Sequence, residues 1–224
     1  MTENKPNSAD NDWDANEHYK DDNVAKNYDD VRFSSAAGRV FNNLEQATVV
    51  KAFSSLQPGA TIADIPCGTG RLAEPLLEHG FKVHGMDISE EMLSVARERV
   101  ARFGDRFTTE VCDAKTLDRS HPQYDGVLCA RVLMHFPLEE QIKFLRGVAQ
   151  ITTGPILINQ SYSTPYLRFR RKVKRWLRHQ PPARYPITNA EISRLLKESG
   201  LKEVRRYRLN ALISEAIYIL AEPL

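Results

Sequence analysis

The sequence predicts an α/β protein built on one doubly wound sheet of seven strands that closes with a C-terminal antiparallel strand pair. Three observations carry that reading. Short apolar runs alternate with helical patterns from Thr61 onward, as in a parallel sheet wrapped by helices. A glycine-rich turn, Gly68-Thr-Gly70, stands where the first of those runs gives way to a helical pattern. The last two extended runs are separated only by Ala211, Leu212 and Ile213, too few residues for a parallel crossover. With 224 residues, 42% of them hydrophobic and 27% charged, the chain has the balance of one globular domain and is neither collagen-like nor largely disordered.

The elements follow in order. Residues 1–16 are rich in Asn, Asp and Glu without an apolar period and read as a disordered tail, which leaves 17–224 as the domain. Between Glu17 and Arg32, Tyr19, Val24, Tyr28 and Val31 approximate helical spacing. From Ala37 to Leu56, Val40, Phe41, Leu44, Ala47, Thr48 and Phe53 describe an amphipathic helix closed by Pro58-Gly59. The alternation then runs TIADIPC, a helix from Gly70 to His79, KVHGMDI, a helix from Glu90 to Phe103, FTTEVCDA, YDGVLCA, a helix from Leu138 to Ile151, and PILINQ. Residues 161–190 form an insert without a single Asp or Glu. Ile192, Leu195 and Leu196 mark a further helix ending near Gly200, and EVRRYRLN and SEAIYILAE make the closing hairpin.

Composition narrows the setting. Cys67, Cys112 and Cys129 are odd in number, lie far apart, lack CxxC spacing and follow no signal-like segment, so free thiols in a cytoplasmic, reducing compartment are expected. No apolar run approaches the roughly 20 residues of a membrane span.

The chemistry gathers at strand ends. Asp64 precedes the glycine turn Cys67-Gly68-Thr69-Gly70, where glycine lets the backbone turn tightly and approach a ligand. Asp87 ends the second run, where this class of fold holds ribose hydroxyls, and Asp113 ends the third. The spacing Gly68-x-Gly70-x-x-Ala73 also satisfies the dinucleotide fingerprint of NAD-dependent oxidoreductases. A carboxylate just before the turn argues against that, because it repels a pyrophosphate and suits an ammonium.

This set of residues resembles the class I S-adenosylmethionine-dependent methyltransferases, of Rossmann-like fold, and within them the quinone and small-metabolite group. Pro66 stands where the first glycine of the family's opening motif is usual. The resemblance implies S-adenosyl-L-methionine as cofactor and no metal. It places Asp64 near the methionine amino group, with Pro66, Cys67, Gly68, Thr69, Gly70 and Arg71 around that moiety. By the same resemblance Asp87 holds the ribose, Ile88 and Met92 pack on adenine, Asp113 and Ala114 meet its amino edge, and Ala130 and Arg131 flank the transfer site. His135, in ARVLMHF, is the expected base for an acceptor proton, and Tyr19 and Tyr28 resemble the aromatic pair that small-molecule methyltransferases fold over the cofactor. The remaining histidines have no ligand spacing.

The formal net charge of +2 hides an asymmetry. Residues 164–184 hold eight Lys and Arg, without which the rest of the chain carries −6. Tyr166, Phe169, Val173, Trp176 and Leu177 fall at helical intervals among those cations. Three uses are open at this level: a cap recruiting an anionic small-molecule acceptor, an interfacial helix on anionic membrane, or an RNA-contacting surface. The residues after the fourth run, Cys129-Ala130-Arg131-Val132, lack the Asn/Asp-Pro-Pro-aromatic motif of nucleic-acid adenine methylation, which disfavours the third.

Overall fold

The computed structural model describes residues 35–163, 185–209 and 216–224. The expected tail, the segment bearing Tyr19 and Tyr28, and the basic insert 164–184 lie outside the described residues.

Seven strands form one sheet in the order β3-β2-β1-β4-β5-β7-β6. They are β1 Thr61–Asp64, β2 Lys82–Asp87, β3 Phe107–Val111, β4 Gly126–Cys129, β5 Ile156–Ser161, β6 Leu201–Arg208 and β7 Ala216–Pro223. β1 to β5 pair in parallel, and β7 runs antiparallel to both β5 and β6. The described helices are α1 Ala36–Ala52, α2 Ala73–Glu78, α3 Glu90–Val100, α4 Leu138–Val148 and α5 Asn189–Glu198.

The central strands are apolar on both sides because both sides are covered. Ile62, Leu128, Leu157 and Tyr218 pack with α1, α2 and α3, whereas Ala63, Val127, Ile156 and Ile158, one position out of phase, pack with α4 and α5. Local signals set the helix ends. Ser89 accepts from Met92 N–H at the start of α3, and a reciprocal Thr188–Glu191 capping box starts α5. At the open edge, β6 carries Lys202, Arg205 and Arg208 outward, charges that discourage pairing with another chain.

Three expectations need correction. α1 buries Glu45, Val49 and Ala52, while Val40 is 60% and Leu44 is 41% exposed, so the apolar face read from the sequence is rotated out of the core. β3 ends at Val111, and Asp113 stands beyond it, accepting from Lys115 N–H to start a short 3-10 turn, Ala114–Thr116. α2 begins only at Ala73, so Arg71 precedes the helix and does not open it.

Candidate cofactor and methyl-transfer site

The carboxyl ends of β1, β2 and β4 bring the predicted loop residues together. Beyond β1, Ile65 N–H donates to Leu128 O (2.9 Å) and Cys67 N–H to Met86 O (2.8 Å), which carries the loop between its two neighbouring strands. Gly70 N–H then returns to Cys67 O (3.2 Å), closing the turn. Gly70 holds a left-handed φ of +72°, and a Cβ there would meet Ala96 Cβ at 3.0 Å, so α3 packs where only glycine fits. Gly68, at φ +54°, has open space where its Cβ would project.

Two acids anchor this loop. Asp87 Oδ2 accepts from Gly68 N–H (2.8 Å) and Oδ1 from Ser89 N–H (3.0 Å), tying the end of β2 to the glycine turn. Burial raises its carboxyl above the ordinary range against the pull of these amides. Asp64 is only 1% exposed, and burial pushes its carboxyl well up, opposed in part by the hydrogen bond from the Cys67 thiol. Its Oδ2 has no hydrogen-bond partner among the described residues. An acceptor buried in that state calls for a donor from a ligand or water.

The other predicted residues differ in burial. Thr69, Met92, Ala114 and Ala130 are buried, Ile88 is 37% exposed beside Asp87, Pro66 is half-buried, and Asp113 is exposed on its turn. His135 is half-buried in the 3-10 turn Leu133–His135, directly after β4. Met134 O in that turn accepts from Tyr185 N–H (2.7 Å), where the chain returns from the basic insert.

Sequence reading missed the hub of the site. Glu45, on α1, is 1% exposed and receives Arg71 Nη2 (2.6 Å), Arg131 Nη1 (2.9 Å to Oε2) and the Tyr218 hydroxyl (2.6 Å). Arg71 also donates to Asn42 Oδ1 (2.6 Å). It is a buried ion-pair member. Arg131 holds φ +68°, the left-handed region that a side chain enters only at a cost of about 1–2 kcal/mol. Its contact with Glu45 holds it there. The one sequence signal was an acid placed between the apolar positions of α1, and spacing alone gives such an acid no partner.

Known proteins fit this geometry. Residues 62–153 match the family described as a methyltransferase domain. The magnesium-protoporphyrin O-methyltransferase of a Synechocystis species is 28% identical over 153 residues, which is 66% of this chain and 65% of that protein. A ubiquinone biosynthesis O-methyltransferase of an Azoarcus species is 35% identical over 83 residues, 37% of this chain and 36% of the relative. The chain thus spans less than two thirds of the length of either. Among solved structures, the Synechocystis magnesium protoporphyrin IX methyltransferase with bound SAH shares the fold at a TM-score of 0.70 and 23% identity, over 85% of this chain and 88% of the other. The acid-anchored glycine loop at the carboxyl edge of this seven-stranded sheet lies inside the segment that is similar to a methyltransferase domain, and the sheet around it shares the fold of the solved Synechocystis enzyme.

Proposed function

We propose that the chain transfers a methyl group from S-adenosylmethionine to a small-molecule acceptor. The observation that carries this is the buried, half-satisfied Asp64 carboxyl beside a glycine turn that Asp87 holds open. The residues fit the cofactor: Asp64 offers a buried acceptor to an ammonium, and Gly68 leaves room for close approach. Asp87 accepts from the backbone amides of Gly68 and Ser89, and its remaining acceptor capacity suits ribose hydroxyls. Ile88 supplies exposed apolar surface for a base, and Met92, Asp113 and Ala114 are the further residues proposed to meet it.

S-adenosylmethionine brings an already activated methyl sulfonium, so the protein's task is to align the acceptor and exclude water. Arg131, fixed by Glu45 at the end of β4, borders the transfer position. His135 accepts the acceptor's proton, a contribution of roughly 10²–10⁴-fold in rate. The two ends of the insert, Ser163 and Tyr185, sit at the end of β5 and beside the His135 turn, through Ser163 N–H to Ile187 O (2.9 Å) and Tyr185 N–H to Met134 O. That placement supports a role for 164–184 in recruiting the acceptor, and its eight cations favour an anionic or lipid-like one. The relatives named for porphyrin and quinone methylation support a small acceptor. Among the described residues no helix is long and apolar enough to cross a membrane.

Calorimetric titration with S-adenosylmethionine, with SAH and with NAD(H) tests the cofactor. Binding of the first two without the third is expected; binding of NAD(H) alone would overturn the reading. Neutralising Arg170, Arg171, Lys174 and Arg175 together should weaken acceptor or anionic-vesicle binding while SAH affinity holds. Intact binding of both would remove the insert from the mechanism.

A further inference from the structure

A second group of reactive side chains lies at the outer edge of the sheet. Glu110 and Cys112, two residues apart along extended chain, share one face, and His84 on β2 stands level with Thr108 on β3. The loop before β4 brings His121 to the same place, so that one ligand atom each of Glu110, Cys112 and His121 lies within 4.8 Å of the others. None of the three enters the methyl-transfer chemistry described above.

We propose that Glu110, Cys112 and His121 form a binding site for a borderline-soft divalent cation of the zinc class. A thiolate and an imidazole together select such an ion over magnesium or calcium, which prefer oxygen. Three protein ligands leave a fourth tetrahedral position for water. Bonds of about 2.0–2.3 Å place tetrahedral ligand atoms roughly 3.3–3.8 Å apart. Closing from 4.8 Å therefore needs movements of about an ångström, which an exposed Glu110 on an edge strand and a half-buried His121 on a loop supply by side-chain rotation.

Outer partners are in place as well. His84 Nε2 lies 3.2 Å from Glu110 Oε2, and its Nδ1 bonds Thr108 Oγ1 at 2.7 Å. Asp118 Oδ1 lies 3.4 Å from His121 Nδ1, a carboxylate of the kind that orients a ligating imidazole. On binding, the Cys112 thiol gives its proton to solvent and the thiolate takes the metal. The ion would then bridge the end of β3 to the loop before β4 and brace the stretch that carries Asp113 and Ala114.

The test uses tag-free, full-length protein stripped with a chelator. Zinc titration should show one ion bound per chain, and cobalt(II) should give a thiolate-to-cobalt charge-transfer band. Cys112→Ser should abolish that band, and both Cys112→Ser and His121→Ala should weaken zinc at least roughly ten-fold. Circular dichroism of the metal-free variants confirms that they fold. Should Cys112→Ser fail to fold, the wild-type cobalt spectrum and His121→Ala still decide. Absence of the band in wild type, its survival in Cys112→Ser, or unchanged zinc affinity in His121→Ala would overturn the proposal.

Discussion

Replacing Glu45 by alanine tests the hub that joins α1 to the loops after β1 and β4. The Arg71 side chain is 8% exposed and its guanidinium lies 2.6 Å from Glu45 Oε2, so removing the carboxylate strands a buried cation. Breaking a buried pair in this way costs about 3–5 kcal/mol. At roughly 2–4 °C per kcal/mol for a domain of this size, the melting temperature should fall by roughly 6–20 °C. The Arg131 side chain, at 18% exposure, reaches water more easily and adds less. Glu45→Gln retains an acceptor for the Tyr218 hydroxyl and should fall between wild type and alanine. Combining Glu45→Met with Arg71→Met removes both charges and should recover much of the loss, since buried pairs exchange well for apolar side chains. Urea and thermal denaturation of the four proteins measure this. A loss below about 1 kcal/mol for Glu45→Ala, or no recovery in the double variant, would refute the view that charge pairing sets the position of α1.

Three further outcomes are expected. Asp87→Ala should weaken SAH binding by about 1–3 kcal/mol, read by calorimetry, because it frees Gly68 N–H and, on the proposed function, removes the acceptors for the ribose. Gly70→Ala should destabilise by about 1–3 kcal/mol in urea unfolding, since its Cβ would press on Ala96 from a left-handed backbone. The third concerns pH. Burial holds the Asp64 carboxyl well above its ordinary value of 3.8, so the folded chain binds this proton more tightly than the unfolded chain. The stability it contributes is complete below that ordinary value and is lost as pH rises toward the folded one. Asp64→Asn should therefore melt above wild type in alkaline buffer, with the gap closing on acidification. It should also lose SAH affinity, whereas wild-type affinity rises with pH as the carboxylate ionises to meet the ammonium.

Much of the fold was legible because its signals are local. Short continuous apolar runs such as TIADI and GVLC and the positive-φ glycines of the turn each act within a few residues of chain. The short link between the last two strands likewise required the antiparallel pairing that β6 and β7 adopt. The placement of Asp64 and Asp87 at adjacent strand ends followed from the same pattern, because the side-chain period and the strand order together fix which residues reach the sheet edge.

What the sequence alone determined was therefore the sheet, the glycine turn and its two acids, all products of backbone conformation and side-chain alternation. Tertiary structure decided the rest. The face of α1 turned on Glu45 meeting Arg71, Arg131 and Tyr218, partners up to 173 positions away, and this pairing outweighed the exposure of Val40 and Leu44. Asp113 left its predicted strand because β3 stops at Val111, and Glu110, Cys112 and His121 met only once β3 and the loop before β4 were laid side by side. Charge pairing and ligand convergence depend on distance in space, which residue spacing along the chain does not encode.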